Sequence, residues 1–190
     1  MELLDVLDEN ANKTGKVEER RVVHEKGLWH AHVGVWLMNE KGELLFQQRA
    51  STKKSGPNKW TRTGGHVDSG ETPLQAVQRE TKEEVGVKIP INNFEFLKVD
   101  KNENIKPNNI IDRNFMYSYF AVVNYKLEDY TMQKEEVSQL KYLTIEDMKK
   151  AKENNDENYT FISWDDFDEI VATLEAKRDL VLNVEKKEWC

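Results

Sequence analysis

The sequence predicts a mixed α+β fold, and three features carry that expectation. β-branched and aromatic runs such as "WHAHVGVWLM" and "NFMYSYFAVVNY" have the composition of strands. A short polar turn with Gly42, "NEKGE", joins the first of these to "LLFQQRA" as a hairpin. Helical spacing with a start signal is confined to a few segments, notably Thr72–Gly86, the stretch after Thr144 and Ser163–Val181.

Composition narrows the class. A chain of 190 residues with 38% hydrophobic and 33% charged residues suits one globular domain, 1–190, able to bury a real core. A net charge of -7 argues against a general nucleic-acid or membrane-surface binder. The one cysteine, Cys190, precludes an intrachain disulfide and suits a reducing compartment. "MELLDVLDENANKTG" lacks the basic-then-apolar pattern of a signal peptide, so a cytoplasmic location is expected.

In chain order, "LLDVLDENANKTGKV" reads as a strand, a turn around Asn12–Gly15 and a second strand near Val17–Val23, so residues 1–28 form an N-terminal strand extension. The β-hairpin around Gly42 comes next, then a loop over "STKKSGPNKW". "FEFLKVD" and "NFMYSYFAVVNY" are strands flanking a polar loop, Lys101–Asn109. "LKYL" starts as a strand and passes into a helix capped by Thr144, with Asp147 three residues on. A closing helix over 163–181 would start at Ser163 and bury Phe167, Ile170, Val171 and Leu174.

The most informative segment is "GGHVDSGETPLQAVQRETKEEVGV", Gly64–Val87. Thr72 can cap a helix, Pro73 fits its first position, Gln75 completes a capping box and Gly86 is a natural stop. At about 100° per residue, Leu74, Val77, Thr81 and Val85 form one stripe, expected to face the core. Glu80, Glu83 and Glu84 fall together within roughly a third of the circumference. Such like charges repel by about 0.2–0.5 kcal/mol per pair. A hard divalent cation relieves that repulsion, since Mg²⁺ takes carboxylates together with waters and substrate phosphates. A solvated charged face is the other reading, and the spacing of the carboxylates alone does not separate the two.

The wider pattern does. Gly65, five residues, Glu71, seven residues, Arg79-Glu80, then Glu83-Glu84 and Gly86-Val87 resembles the Nudix box, G-x5-E-x7-R-E-U-x-E-E-x-G-U, with U a bulky aliphatic. The box spans 65–87, and its one departure is Thr81, where the family has Ile, Leu or Val. The resemblance implies a Nudix fold, an α/β/α sandwich with a mixed sheet and a loop–helix–loop box. It also implies hydrolysis of a diphosphate linked to another moiety, with Mg²⁺ or Mn²⁺. Carried onto this chain, it makes Glu80, Glu83 and Glu84 metal ligands, with the Gly64 carbonyl as a further one. Arg79 would orient the carboxylates and Glu71 would support the box from its loop. The general base stays open between Glu83 and a later-loop carboxylate, Glu135 or Glu136. Arg49 and Lys53 are candidates for gripping a substrate diphosphate.

Beyond the box, "LWHAHVGVWLMNEKGELLFQQRASTKKSGPNKW", "DVLDENANKTGKV" and "EEVSQLKYLTIEDM" resemble the Nudix branch related to type I isopentenyl-diphosphate isomerase. That enzyme moves a double bond with a cysteine just before the box glycine and a metal held by histidines and glutamates. Here Gly64 stands in the cysteine's place. His30 and His66 resemble the isomerase metal-site histidines, or else are strand and loop histidines packed near a sheet end; His24 and His32 are weaker candidates. The expectation is thus a Mg²⁺-dependent diphosphate hydrolase acting on a small molecule, with no nucleic-acid or membrane partner. The alternatives are an isomerase-like protein and a catalytically silent Nudix ligand sensor. The N-terminal strand or the Ser163–Val181 helix could serve a homodimer.

Overall fold

The computed structural model describes residues 2–53, 55–105 and 111–188; Cys190 and the end of the expected Lys101–Asn109 loop lie outside them. In order, the elements are β1 (Leu3–Leu7), β2 (Lys13–Glu19), α1 (Arg20–Lys26), β3 (His30–Met38), β4 (Leu44–Arg49), β5 (Trp60–Thr61) and β6 (Thr63–His66). Then come α2 (Pro73–Val85), β7 (Glu95–Ile105), β8 (Ile111–Val122), β9 (Val137–Leu143), α3 (Ile145–Glu153) and α4 (Phe167–Glu188). This is the expected α+β content. The chain divides into two compact units, and β3, β6, α2 and β8 each contribute residues to both.

The first unit comprises Met1–Val35, Gly64–Thr81 and Lys88–Phe120. Its strands follow the order β3-β8-β7, with β6 paired to β3 and a separate β1-β2 ladder. β7 and β8 form a long antiparallel hairpin, from Glu95↔Phe120 to Ile105↔Ile111. Both strands therefore extend into the stretch expected to be a polar loop, because the cross-strand pair Arg113–Glu103, at 3.0 Å, supports pairing where composition alone suggests a loop. Trp29, Phe115 and Leu7 form a small core cluster here.

The N-terminal extension departs from expectation. The turn comes earlier than Asn12–Gly15, because the Asp8 carboxylate accepts from the backbone N–H groups of Asn10 (2.8 Å) and Asn12 (2.9 Å). β2 consequently starts at Lys13, and the chain from Arg20 winds into α1 rather than continuing as a strand. α1 buries Val23 and ends at Gly27 in the left-handed region, φ 59°.

The second unit comprises Trp36–Thr63, Lys82–Val87 and Ala121–Cys190. β4 is its central strand, antiparallel to β5 and to β9, with Leu44↔Leu143 at one end and Arg49↔Val137 at the other. β4 also meets the end of β3 at Met38↔Leu44, across the Gly42 turn. There the Asn39 side chain accepts from Lys41 and Glu43 N–H groups. Trp36 meets Phe46 and Phe46 meets Phe161 edge to face, Phe161 stacks on Phe167, and Arg62 lies 5.1 Å from the rings of both Trp36 and Trp164.

α3 starts where expected, with Thr144 and Asp147 in a reciprocal capping box. The closing helix does not. Ser163 ends a short 3₁₀ turn, its hydroxyl donating to the Thr160 carbonyl at 3.2 Å, and it lies too far upstream of the helix to cap it. α4 starts four residues later and runs to Glu188, with Phe167, Ile170, Val171 and Leu174 all buried as expected.

Candidate active site

α2 is built as its sequence demands. The Thr72 N–H donates to the Gln75 side chain at 2.9 Å and the Gln75 N–H to the Thr72 hydroxyl at 3.3 Å, closing the capping box. Gly86 ends the helix at φ 76°, where an added Cβ would sit 2.6 Å from the Thr131 carbonyl oxygen. Val77, Thr81 and Val85 are buried, with Leu74 only half-buried at the start of the stripe. Thr81 fills its core position by donating its hydroxyl to the Val77 carbonyl at 2.7 Å. That bond explains why a polar residue replaces the family's aliphatic without leaving an unmet group.

Arg79 is the hub of the box. Its Nε and Nη2 donate to the two oxygens of Glu71 at 2.9 and 3.0 Å, its Nη1 to Glu80 at 2.9 Å, and Nη2 also to the His66 carbonyl at 3.0 Å. Burial would lower the guanidinium's pKa, but the bond to Glu71 and the charge of Glu80 outweigh it and hold the pKa above its ordinary value. Glu71 also accepts from the Asp68 N–H at 3.2 Å, tying the loop to the helix. Gly65 explains its own requirement: an added Cβ would meet Glu80 Oε1 at 2.3 Å. The Glu80 carboxylate thus lodges where any side chain would stand.

Glu80, Glu83 and Glu84 are not alike. Glu83 is exposed, Glu80 half-buried and Glu84 buried. Glu84 accepts from the Gln47 amide at 2.8 Å, and Gln47 Oε1 accepts from the Thr63 hydroxyl at 3.1 Å. Gln47 and Thr63 do not stand out as site residues in the sequence; only the strand alternation of "LLFQQR", which turns one glutamine inward, hints at them. Carboxylate oxygens are the donors that a hard divalent cation takes, but among the described residues the group whose ligand atoms lie close enough together to share an ion is His24, His30 and His66, not the three glutamates.

The phosphate-gripping candidates come together around one loop. Arg49 Nε donates to the Ser55 carbonyl at 2.9 Å, and Lys53 forms an ion pair with Glu136. Lys53 and Glu136, expected in separate roles, therefore neutralise one another. Gly64 sits in β6 against β3, where an added Cβ would lie 2.2 Å from the Val33 carbonyl oxygen and 2.8 Å from Gly34 Cα.

A second constellation gathers all four histidines of the chain, from α1, β3 and β6. His24, His30 and His66 each offer a ring nitrogen, all within 4.8 Å of one another, and His24 Nε2 stands 3.1 Å from His66 Nε2. The His32 ring centroid is 4.0 Å from that of His66. Two carboxylates border the group: Glu2 lies 3.0 Å from His66 Nδ1, and Asp112 lies 3.7 and 3.8 Å from His24 and His30. Burial, reinforced by the neighbouring His66 and His30, pushes the His32 pKa well below its ordinary value. Nitrogen donors of this kind suit a transition-metal ion rather than Mg²⁺. The "HAH" of β3 was the available signal, since residues i and i+2 share a face; Glu2 and Asp112 gave none.

These features define a class, a strand-and-helix scaffold presenting an arginine-clamped carboxylate helix. The sequence pattern of the NUDIX domain matches residues 28–165, and the chain belongs to the Nudix family. Nudix hydrolase 3 of Arabidopsis thaliana is 36% identical over 163 residues, covering 83% of this chain but only 21% of that protein. An isopentenyl-diphosphate Delta-isomerase of Streptomyces avermitilis is 41% identical over 86 residues, 45% of this chain and 44% of that one. The chain thus falls in the branch that resembles that isomerase while lacking its cysteine. A crystal structure of a Deinococcus radiodurans protein superposes with TM-score 0.67, covering 91% of this chain and 99% of that one at 23% identity, and so shares the fold. Among the described residues no helix is long and apolar enough to cross a membrane.

Proposed function

We propose that the protein is a Mg²⁺-dependent hydrolase that cleaves a diphosphate linkage in a nucleotide or another small diphosphate-linked metabolite. The observation that carries this reading is the Arg79 hub. It fixes Glu71 and Glu80 in a cradle that Gly65 leaves open, an arrangement costly to build for a merely solvated face. On this reading Glu80, Glu83 and Glu84, with the Gly64 carbonyl, hold the cation, with Mn²⁺ as a substitute. When bound, the cation screens the diphosphate oxygens and acidifies the attacking water. Arg79 and Glu71 orient the ligand carboxylates. As general base, Glu83, the exposed carboxylate of the helix, would accept a proton from water, whereas Glu136 could do so only after parting from Lys53. Arg49 and a released Lys53 would then face substrate charge.

A screen of diphosphate compounds with phosphate detection, with and without Mg²⁺, tests the proposal. In Glu83→Gln, hydrolysis should fall by more than about 100-fold, since losing even an outer-shell partner of a metal site costs about 10–100-fold. Unchanged turnover in a folded Glu83→Gln protein overturns the site assignment. An isomerase-like reading draws support from the histidine cluster. Against it, the place of the acid–base cysteine is one where the backbone leaves no room for a side chain.

A further inference from the structure

We infer that Gln47, seated on Thr63, is a positioning residue for the metal-binding carboxylate of Glu84. The inference rests on the Mg²⁺-hydrolase reading above. Gln47 and Thr63 are each 2% exposed and Glu84 5% exposed, so water does not solvate this carboxylate as it does Glu83. An ionised carboxylate only accepts, so the amide nitrogen of Gln47 must face Glu84, and its oxygen must face the Thr63 hydroxyl. The donor direction along the relay is thereby fixed: Thr63 to Gln47 at 3.1 Å, Gln47 to Glu84 at 2.8 Å. The relay joins β6 to β4 to α2, so the Glu84 rotamer is set by two strands as well as by its own helix.

The residue type matters. A lysine or arginine at position 47 would cancel the charge of Glu84 and compete with a cation for it. A neutral amide orients the carboxylate and leaves its charge in place, which is what a ligand needs from an outer-shell partner. A trio that only satisfied its own buried polar groups would influence stability but not cation binding.

That difference is the test. Mg²⁺ is titrated into the full chain by calorimetry, because imidazole donors select transition metals and the histidine cluster contributes little to its binding. Gln47→Leu should weaken Mg²⁺ binding by about 10–100-fold, raise the Mg²⁺ concentration needed for half-maximal turnover in parallel, and leave the substrate KM at saturating Mg²⁺ near the parent value. Thr63→Val should shift Mg²⁺ binding the same way but less, while Thr63→Ser, which keeps the hydroxyl, restores it. Thermal midpoints recorded alongside identify variants that fail to fold. If Gln47→Leu is one, the Thr63 pair decides: tighter Mg²⁺ binding by Ser than by Val supports the relay, and equal binding by both overturns it. Parent-like Mg²⁺ binding in a folded Gln47→Leu protein also overturns it. Glu83→Gln separates the two levels. If it loosens Mg²⁺ while Gln47→Leu does not, only the relay falls; if it binds Mg²⁺ like the parent, the box reading falls and the relay with it.

Discussion

The box network and the histidine cluster both gather ionisable groups, yet they are balanced in opposite ways. Around Arg79, one guanidinium is met by the carboxylates of Glu71 and Glu80, so each charge has a counter-charge within hydrogen-bond reach. Around His66, imidazoles face imidazoles, with one carboxylate, Glu2, 3.0 Å from His66 and another, Asp112, farther off at 3.7 and 3.8 Å from His24 and His30. The first arrangement sets opposite charges against each other; in the second, burial and the neighbouring His66 and His30 rings hold the His32 pKa well below its ordinary value. The box should therefore tolerate a wide pH range and fail when a partner is removed. The cluster should tolerate removal of a ring and fail on acidification.

Removing the hub should have the largest effect. In Arg79→Met, Glu71 and Glu80, with side chains 24% and 14% exposed, lose their shared counter-ion. The expected loss is about 2–4 kcal/mol, somewhat less than for a fully buried pair, read as a lowered urea midpoint together with abolished hydrolysis. A parent-like midpoint would mean that the network is ornamental and that the contrast with the cluster is wrong. Next comes Gly64→Cys, which rebuilds the isomerase residue in the sequence. Its Cβ would lie 2.2 Å from the Val33 carbonyl oxygen, so β6 must part from β3. We expect a cost of about 1–3 kcal/mol, the usual range for overpacking, and no deuterium exchange into isopentenyl diphosphate in deuterated water. A stable variant that catalyses exchange would show that only one side chain separates the two chemistries.

The same contrast explains what was legible in the sequence. The box was readable because its residues lie on one loop and one helix, where spacing translates directly into geometry: Thr72 and Gln75 close the capping box that their positions imply, and Arg79 bonds to its neighbour Glu80. The histidine cluster and the Gln47–Thr63 relay come from separate elements, and no linear spacing encodes a meeting of His24 with His66 or of Gln47 with Glu84. Elements set by tertiary pairing depart from their sequence signals for a related reason. The β7–β8 hairpin outlasts its polar composition through cross-strand pairs, and the early Asp8 turn starts β2 at Lys13, ahead of the expected Val17. Ser163 has the composition of a cap but ends a 3₁₀ turn four residues before α4 begins.

Acidification should separate the two regions by a smaller but sharper margin. His32 is held neutral in the fold, with its pKa well below the ordinary value of 6.5, while the unfolded chain protonates near that value. Between the two, the unfolded state binds the extra proton, so its contribution to stability is complete above about pH 6.5 and is lost as pH falls toward the folded pKa. The slope contributed by one such group is at most about 1.4 kcal/mol per pH unit. Comparing urea midpoints at pH 8 and 5.5, His32→Gln should flatten the decline. If the parent loses no more stability than this variant, His32 is not the group that resists acid.

The smallest expected effect concerns Thr81, the one box position that departs from the family pattern, and it tests whether the network depends on the stripe beneath it. Thr81 is fully buried, and its hydroxyl is satisfied only within its own helix, by the Val77 carbonyl at 2.7 Å. Thr81→Val removes that donor, but the Val77 carbonyl keeps its backbone role in the helix, so no charge or orphaned side chain is created. Back-bonding of this kind adds little net stability, and a buried methyl gains about 0.8 kcal/mol by area. The two nearly offset, leaving a gain of about 0.5 kcal/mol in the urea midpoint with hydrolysis unchanged. A loss of hydrolysis without a loss of stability would show that Thr81 transmits the core's geometry to Glu80 and Glu84, and the departure from the aliphatic residue would then belong to the chemistry rather than to packing.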